Sequence, residues 1–181
     1  PSLGAKLLSV DTSGAEALDG VEIVRDEDLI AVLHESKDMA DFAISKVEAE
    51  YEEEALDIDD NSIYKYLIDK ASVERSIGYD GNLSEGETKS EQFFEAEFLD
   101  PFIAPATGEH HTTTARFEDE KMVIWASCQT PYPGKKEVSR VLGIPEENVR
   151  VMQIFTGGGF GGKIYTPQLV EAARLAKLSG K

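Results

Sequence analysis

A chain of 181 residues with 41% hydrophobic and 29% charged residues has the composition of an ordinary globular protein, long enough for one large domain or two small ones with buried cores. Its 35 Asp and Glu against 18 Lys and Arg leave a net charge of −17, a field that repels phosphate backbones and anionic membrane surfaces and argues against nucleic-acid binding. No apolar run is long enough to span a bilayer, and the single cysteine, Cys128, excludes an internal disulfide or a multi-cysteine metal site made by this chain alone, which suits a reducing, cytoplasmic setting.

Taken in order, Asp11-Thr12-Ser13 offers N-cap oxygens ahead of a short helix over Ala15 to Leu18, stopped at Gly20. Val21 to Val24 and Leu29 to His34 are β-rich runs joined by Arg25-Asp26-Glu27-Asp28, a connection of hairpin length. Ser36 caps a second helix with Met39, Phe42, Ala43 and Val47 at helical spacing; its acidic end, Glu48 to Glu54, reads as a solvated surface. Asp60-Asn61 caps a third helix through Tyr64, Leu67 and Ile68. Ser76 to Glu91, rich in Gly, Ser, Asp and Glu, reads as a linker or long loop. Phe93 to Leu99, Thr112 to Phe117 and Met122 to Cys128 read as strands, the last two joined by a tight turn at Glu118-Asp119-Glu120-Lys121, with Trp125 in the core. The segment Asp100 to Glu109 carries Pro101, Pro105 and Gly108 and is irregular. Pro133 to Leu142 is a helix closed by Gly143, Val149 to Phe155 a strand, and Thr166 with Pro167 starts a last helix that buries Leu169, Val170, Ala173 and Ala176. The pattern is α+β in two parts. With no leader before Pro1 and a helix running almost to Lys181, it reads as a piece of a longer polypeptide.

Between that last strand and last helix lies Gly157-Gly158-Gly159-Phe160-Gly161-Gly162-Lys163, with five glycines in seven residues. Such a cluster is a flexible connection, a set of positions needing positive φ, or a place where a ligand meets bare backbone. The stretch satisfies G-x-x-x-x-G-K in the strand–loop–helix setting of a phosphate-binding loop, yet Ile164 stands where a Ser or Thr hydroxyl should hold Mg²⁺. A nucleotide-binding domain and a non-catalytic interaction domain are the two alternative readings. His110-His111 beside Glu109 invites a metal, but adjacent residues of an extended chain point to opposite faces and do not grip one ion together. No metal ligand is assigned.

The same loop, preceded by Val-Leu-Gly-Ile-Pro-Glu-Glu-Asn-Val-Arg-Val and by Trp125-Ala-Ser-Cys-Gln-Thr-Pro131, resembles the molybdenum-binding large subunit of the xanthine dehydrogenase and aldehyde oxidase family. Phe160 follows Gln129 by 31 positions, the interval of that family, and Glu109 falls where the family carries a glutamate in its Pro-rich turn. Pro1 to Leu7 and Val24-Arg-Asp-Glu-Asp-Leu-Ile-Ala-Val32 resemble the α/β hammerhead domain, nearest to the isoquinoline and nicotinate oxidoreductase branch. The resemblance implies a hammerhead-like part at 1–75, a linker at 76–91 and the start of an α+β molybdenum-cofactor-binding domain at 92–181. It implies a molybdenum–pterin cofactor approached by the Gln129 side-chain amide and by Gly158, Gly159, Phe160 and Gly161, with the Phe160 ring walling the substrate side and Glu109 a structural carboxylate beneath. The implied activity is hydroxylation of an aldehyde or N-heteroaromatic compound with water as oxygen source, electrons passing to an iron–sulfur subunit or domain. The general base belongs downstream of Lys181, so no catalytic residue is assigned. Ile164 replaces a glutamate of purine-oxidising members, which puts xanthine in doubt as substrate, and Cys128 reads as a small buried residue in place of a Ser or Thr.

Overall fold

The computed structural model describes residues 4–27, 29–53, 57–72, 78 and 80–181. Pro1 to Leu3 of the opening stretch, Asp28 of the hairpin connection, Glu54, and residues 76, 77 and 79 of the expected linker lie outside the described residues. The chain is mixed helix and strand and divides into two compact units, one of residues 1–54 with 104–181, the other of residues 55–103.

In the first unit, β1 (Lys6–Asp11) pairs antiparallel with β4 (Glu48–Glu52), and β2 (Glu22–Asp26) pairs antiparallel with β3 (Leu29–Leu33) as the expected hairpin. Between them lie α1 (Ser13–Glu16) and α2 (Lys37–Ile44). The acidic stretch expected to end α2 is therefore a strand. It escapes the usual hydrophobic alternation because every residue of β4 is exposed, so charged side chains suit both faces of this two-stranded ribbon.

A three-stranded sheet in the order β5 (Thr113–Glu118), β6 (Lys121–Ala126), β7 (Val149–Gln153) organises the rest of this unit. The β5–β6 hairpin turns through Asp119 at φ 49° and Glu120 at φ 59°, two consecutive left-handed residues whose twist matches that of the strands. From β6 the chain crosses through α5 (Pro131–Leu142), ended by Gly143 at φ 63°, and a short 3₁₀ turn into β7, which pairs parallel with β6. The last helix, α6 (Pro167–Ser179), packs on β5 and α5. Met122, Ile124 and Ala126 alternate along β6 into a core closed by Val138, Val149, Leu169, Ala173 and Ala176, the last three on one helical face. Alternation places Trp125 on the opposite face, half-buried with the Arg116 guanidinium 6.0 Å from its ring, and not in the core. Arg174 on α6 donates to Asp26 on β2 at 2.7 Å.

The second unit holds α3 (Ile63–Lys70) and α4 (Leu83–Lys89). Asp59, not Asp60, organises the start of α3, its Oδ1 accepting from the amides of Asn61 and Ser62 and from the Ser62 hydroxyl. The helix α4 lies in the stretch expected to be a linker. Asn82 accepts from the Glu85 amide and Lys89 pairs with Glu85 one turn away, so capping and an i,i+4 pair support a helix that buries nothing. The strand expected over Phe93 to Leu99 does not form; these residues have no regular structure, and among the described residues no strand pairs with them. Tyr64 donates to the Asp100 carbonyl at 2.7 Å and its ring lies 6.1 Å from that of Phe102.

Gly134 on α5 is the tightest point of the α5–α6 contact: a Cβ there would lie 2.7 Å from Cδ2 of the buried Leu169. Gly134→Val is expected to lower unfolding stability by about 1–3 kcal/mol through overpacking, read from the urea midpoint at constant m-value.

Candidate functional site

Strand register explains why residues far apart in sequence meet. Thr113 pairs with Ala126, and Ala126 pairs with Gln153, so one sheet edge receives the residues entering β5 and those leaving β6 and β7. The ladder runs slightly further, with the Ser127 amide donating to Thr112 at 3.0 Å and the Ile154 amide to Ala126 at 3.1 Å. Beyond it, Glu109, Gln129 and the glycine stretch converge at the carboxyl ends of the two parallel strands, where sheets of this kind leave a crevice for ligands.

Glu109 is a hub. Its Oε2 accepts from the Gly157 amide at 2.7 Å, the Lys163 ammonium at 2.6 Å and the Ser127 hydroxyl at 2.6 Å, and Lys163 also donates to Ser127 Oγ at 2.8 Å. Lys163 and Ser127 are fully buried. The hydrogen bond from Lys163, then those from Ser127 and Gly157, hold the Glu109 carboxyl down at about 2 from its ordinary 4.5, so it is ionised at neutral pH. The structural role expected of Glu109 is what the geometry displays. Its partner Lys163 was legible only as a phosphate-loop lysine. In the fold its ammonium turns away behind the loop onto Glu109 and Ser127, and the following helix begins only at Pro167, so the phosphate-cradle alternative loses its cation.

Gln129 is the second hub. Its Oε1 accepts from the amides of Gly161 at 3.1 Å and Lys163 at 3.2 Å, and its own amide donates to the Lys163 carbonyl at 2.9 Å. Because both loop partners are N–H donors, the side-chain amide must face them with its oxygen, leaving Nε2 pointing elsewhere as a donor. Among the described residues no acceptor meets Nε2, nor the backbone N–H groups of Gly158, Gly159 and Phe160. His111 donates from Nε2 to the Gly162 carbonyl at 2.9 Å, and Thr130 donates to that of Ile164 at 2.6 Å.

The glycines are there because this loop lies directly on other groups. A Cβ at Gly159 would come within 2.5 Å of Gln129 Oε1, and one at Gly157 within 2.7 Å of Glu109 Cβ. Phe160, 82% exposed as a residue, holds φ 47°, a left-handed conformation costing about 1–2 kcal/mol that neighbouring bonds must impose. All five residues expected at the site, Gln129, Gly158, Gly159, Phe160 and Gly161, are thus brought together, with Gly161 committed through its N–H to Gln129. Cys128 is buried, and burial pushes its thiol up.

The depressed carboxyl of Glu109 fixes a pH dependence. Its contribution to stability is fully present above about pH 4.5 and is lost as pH falls toward about 2. Urea midpoints measured across that window are expected to fall less steeply for Glu109→Gln than for the wild type, with the variant less stable at neutral pH because Lys163 loses its counter-charge.

The profile of the molybdopterin cofactor-binding domain family matches residues 68–181. The chain is 28% identical, over 181 aligned residues, to the molybdenum-binding subunit PaoC of an aldehyde oxidoreductase from Escherichia coli O157:H7, covering 94% of this chain and 23% of that subunit. It is 27% identical to the large molybdopterin subunit of nicotinate dehydrogenase from Eubacterium barkeri, covering 88% of this chain and 46% of the relative. The crystal structure of quinoline 2-oxidoreductase from Pseudomonas putida 86 shares the fold, with a TM-score of 0.69 and 18% identity over 98% of this chain and 28% of that one. The chain thus spans between about a quarter and a half of the length of these proteins. With more than half of its residues inside the family profile, the chain belongs to the molybdopterin cofactor-binding domain family, that of the molybdenum-binding subunits of xanthine dehydrogenase-type enzymes.

Proposed function

We propose that this chain forms one wall of the molybdenum–pterin site of a hydroxylase acting on an aldehyde or an N-heteroaromatic compound. The observation that carries the reading is a set of four donors that meet no acceptor among the described residues: the N–H groups of Gly158, Gly159 and Phe160 on the loop, and Gln129 Nε2 beside it. Oxygen and sulfur ligands of a metal and the oxygens of a pterin phosphate are acceptors of the kind such donors fit. Gln129 Nε2 would hold an oxygen ligand, and the three loop amides would line the group alongside it. The Phe160 ring, exposed above the loop, would limit what approaches from outside. When bound, the cofactor supplies the oxygen-transfer and two-electron redox chemistry, and the protein contributes placement and field. Names of relatives, an aldehyde oxidoreductase and a nicotinate dehydrogenase, support the substrate classes.

Within this reading residues 1–75 are hammerhead-like, 76–91 are connecting and 92–181 begin the cofactor domain, the last supported by the family match. An iron–sulfur subunit or domain takes the electrons. No helix among the described residues is long and apolar enough to cross a membrane, and the lone buried thiol supports a cytoplasmic site of action.

The complete enzyme, purified with its partners, is expected to hold about one molybdenum and one pterin per subunit; absence of both would end the reading. Gln129→Ala should lower its turnover by about 10–100-fold with an unchanged circular dichroism spectrum, the range found for groups that orient a metal centre from outside its ligand set. Unchanged turnover would remove Gln129 from the site. Gly159→Ala, whose methyl group displaces the Gln129 side chain, should reduce bound molybdenum by about tenfold on the same grounds, measured by elemental analysis.

A further inference from the structure

Apolar packing does little to hold the glycine loop. One side borders a cavity of about 260 Å³ lined by Pro105, Thr107, Glu109, His111, Gly159 and Gly162, and the other exposes Phe160 and Ile164. Yet the loop keeps Phe160 in a left-handed conformation. Hydrogen bonds supply the constraint: the Gly162 amide donates to the Gly159 carbonyl at 2.8 Å across Phe160 and Gly161, the Gly161 and Lys163 amides bond Gln129 Oε1, and a further set joins the loop's two ends. Gly157 at its start and Lys163 at its finish both bond the same oxygen, Glu109 Oε2, and the buried Ser127 hydroxyl ties that oxygen to the lysine. A single carboxylate oxygen accepting three donors, one of them a buried ammonium, fixes the distance between the loop's ends more firmly than a neutral group could.

We infer that Lys163, Glu109 and Ser127 act as one positioning unit for the cofactor loop, holding its ends together so that the amides of Gly158 to Phe160 stay turned outward in a ready-made cradle. None of the three need touch the bound group; they act through the backbone at Gly157 and Lys163. This inference rests on the cofactor reading, and it makes a separate claim about the protein before anything binds. Pre-organisation of this kind removes the ordering cost that a loose glycine loop would otherwise impose on binding.

The test uses the complete enzyme with Lys163→Met, Glu109→Gln, the double variant, and the milder Ser127→Ala. Two quantities are read: amide hydrogen exchange across residues 157–163 against that of α5 and α6, and molybdenum and pterin bound per subunit. In Ser127→Ala and in the double variant, loop exchange should rise about tenfold with α5 and α6 unchanged, and bound cofactor should fall about tenfold. The double variant should be no worse than the worse single one, because the unpaired charge is gone. If Lys163→Met does not fold, Ser127→Ala decides. Wild-type loop exchange and cofactor content in folded Ser127→Ala and double variants would overturn the inference, as would faster exchange spread equally through α5 and α6, the mark of a merely structural role. A wild-type enzyme without molybdenum or pterin would sink the cofactor reading instead, and the exchange data from cofactor-free protein would still judge the positioning unit.

Discussion

Everything at the site depends on the register of the three-stranded sheet. Thr113, Ala126 and Gln153 lie side by side across β5, β6 and β7, two pairings of opposite sense that bring three chain passages to one edge. A slip of one residue in either pairing would reverse the faces of the shifted strand. Met122, Ile124 and Ala126 would leave the core, and Ser127 would no longer lie beneath Lys163. The hydrophobic pattern of β6 and the polar geometry of the site are therefore specified by one constraint, and the core that stabilises the fold also sets the position of Gln129.

Two hubs then divide the work on the loop. Glu109 receives the ends, through the Gly157 amide and the Lys163 ammonium, and Gln129 receives the Gly161 and Lys163 amides from inside. The burial of Lys163 is tolerable because its ammonium meets a carboxylate and a hydroxyl; alone, a buried charge would shift its protonation or disrupt its surroundings. Such an ion pair is weak evidence for overall stability, since an apolar replacement of the whole pair can be neutral. Its value here is geometric, in the loop shape it selects.

The loop, Gln129 and Glu109 were legible because residue type and interval carried them: five glycines around a phenylalanine, and a glutamine 31 positions earlier. The partnership of Glu109, Ser127 and Lys163 was not, because a lysine after paired glycines reads as a phosphate ligand and its carboxylate lies 54 residues away. Counting register outward from the β5–β6 turn would have placed Ser127 opposite Thr112 and so near Glu109. Elsewhere, the elements that were misread bury little. The strand β4 is exposed throughout, α4 buries no residue, and Phe93 to Leu99 has strand-like composition with no strand to pair with among the described residues. Periodicity reports burial against a core, so it is silent where an element has none.

The glycine stretch also separates two meanings of glycine richness. A flexible connector would leave its glycines in open space, where alanine is tolerated. Here Cβ atoms at Gly157, Gly159 and Gly162 would come within 3 Å of Glu109, Gln129 and Pro105 side-chain atoms, and Gly158 and Gly161 hold φ near +90°. Each position is thus occupied by glycine for a steric or conformational reason, and the non-glycine residue among them, Phe160, is itself held left-handed. A chain this constrained has lost its conformational entropy in folding and not in binding. That ordering suits the proposed role of the free amides in facing a rigid, polar group, and it is why three of them can remain without acceptors among the described residues while their neighbours at Gly157 and Gly161 are bonded.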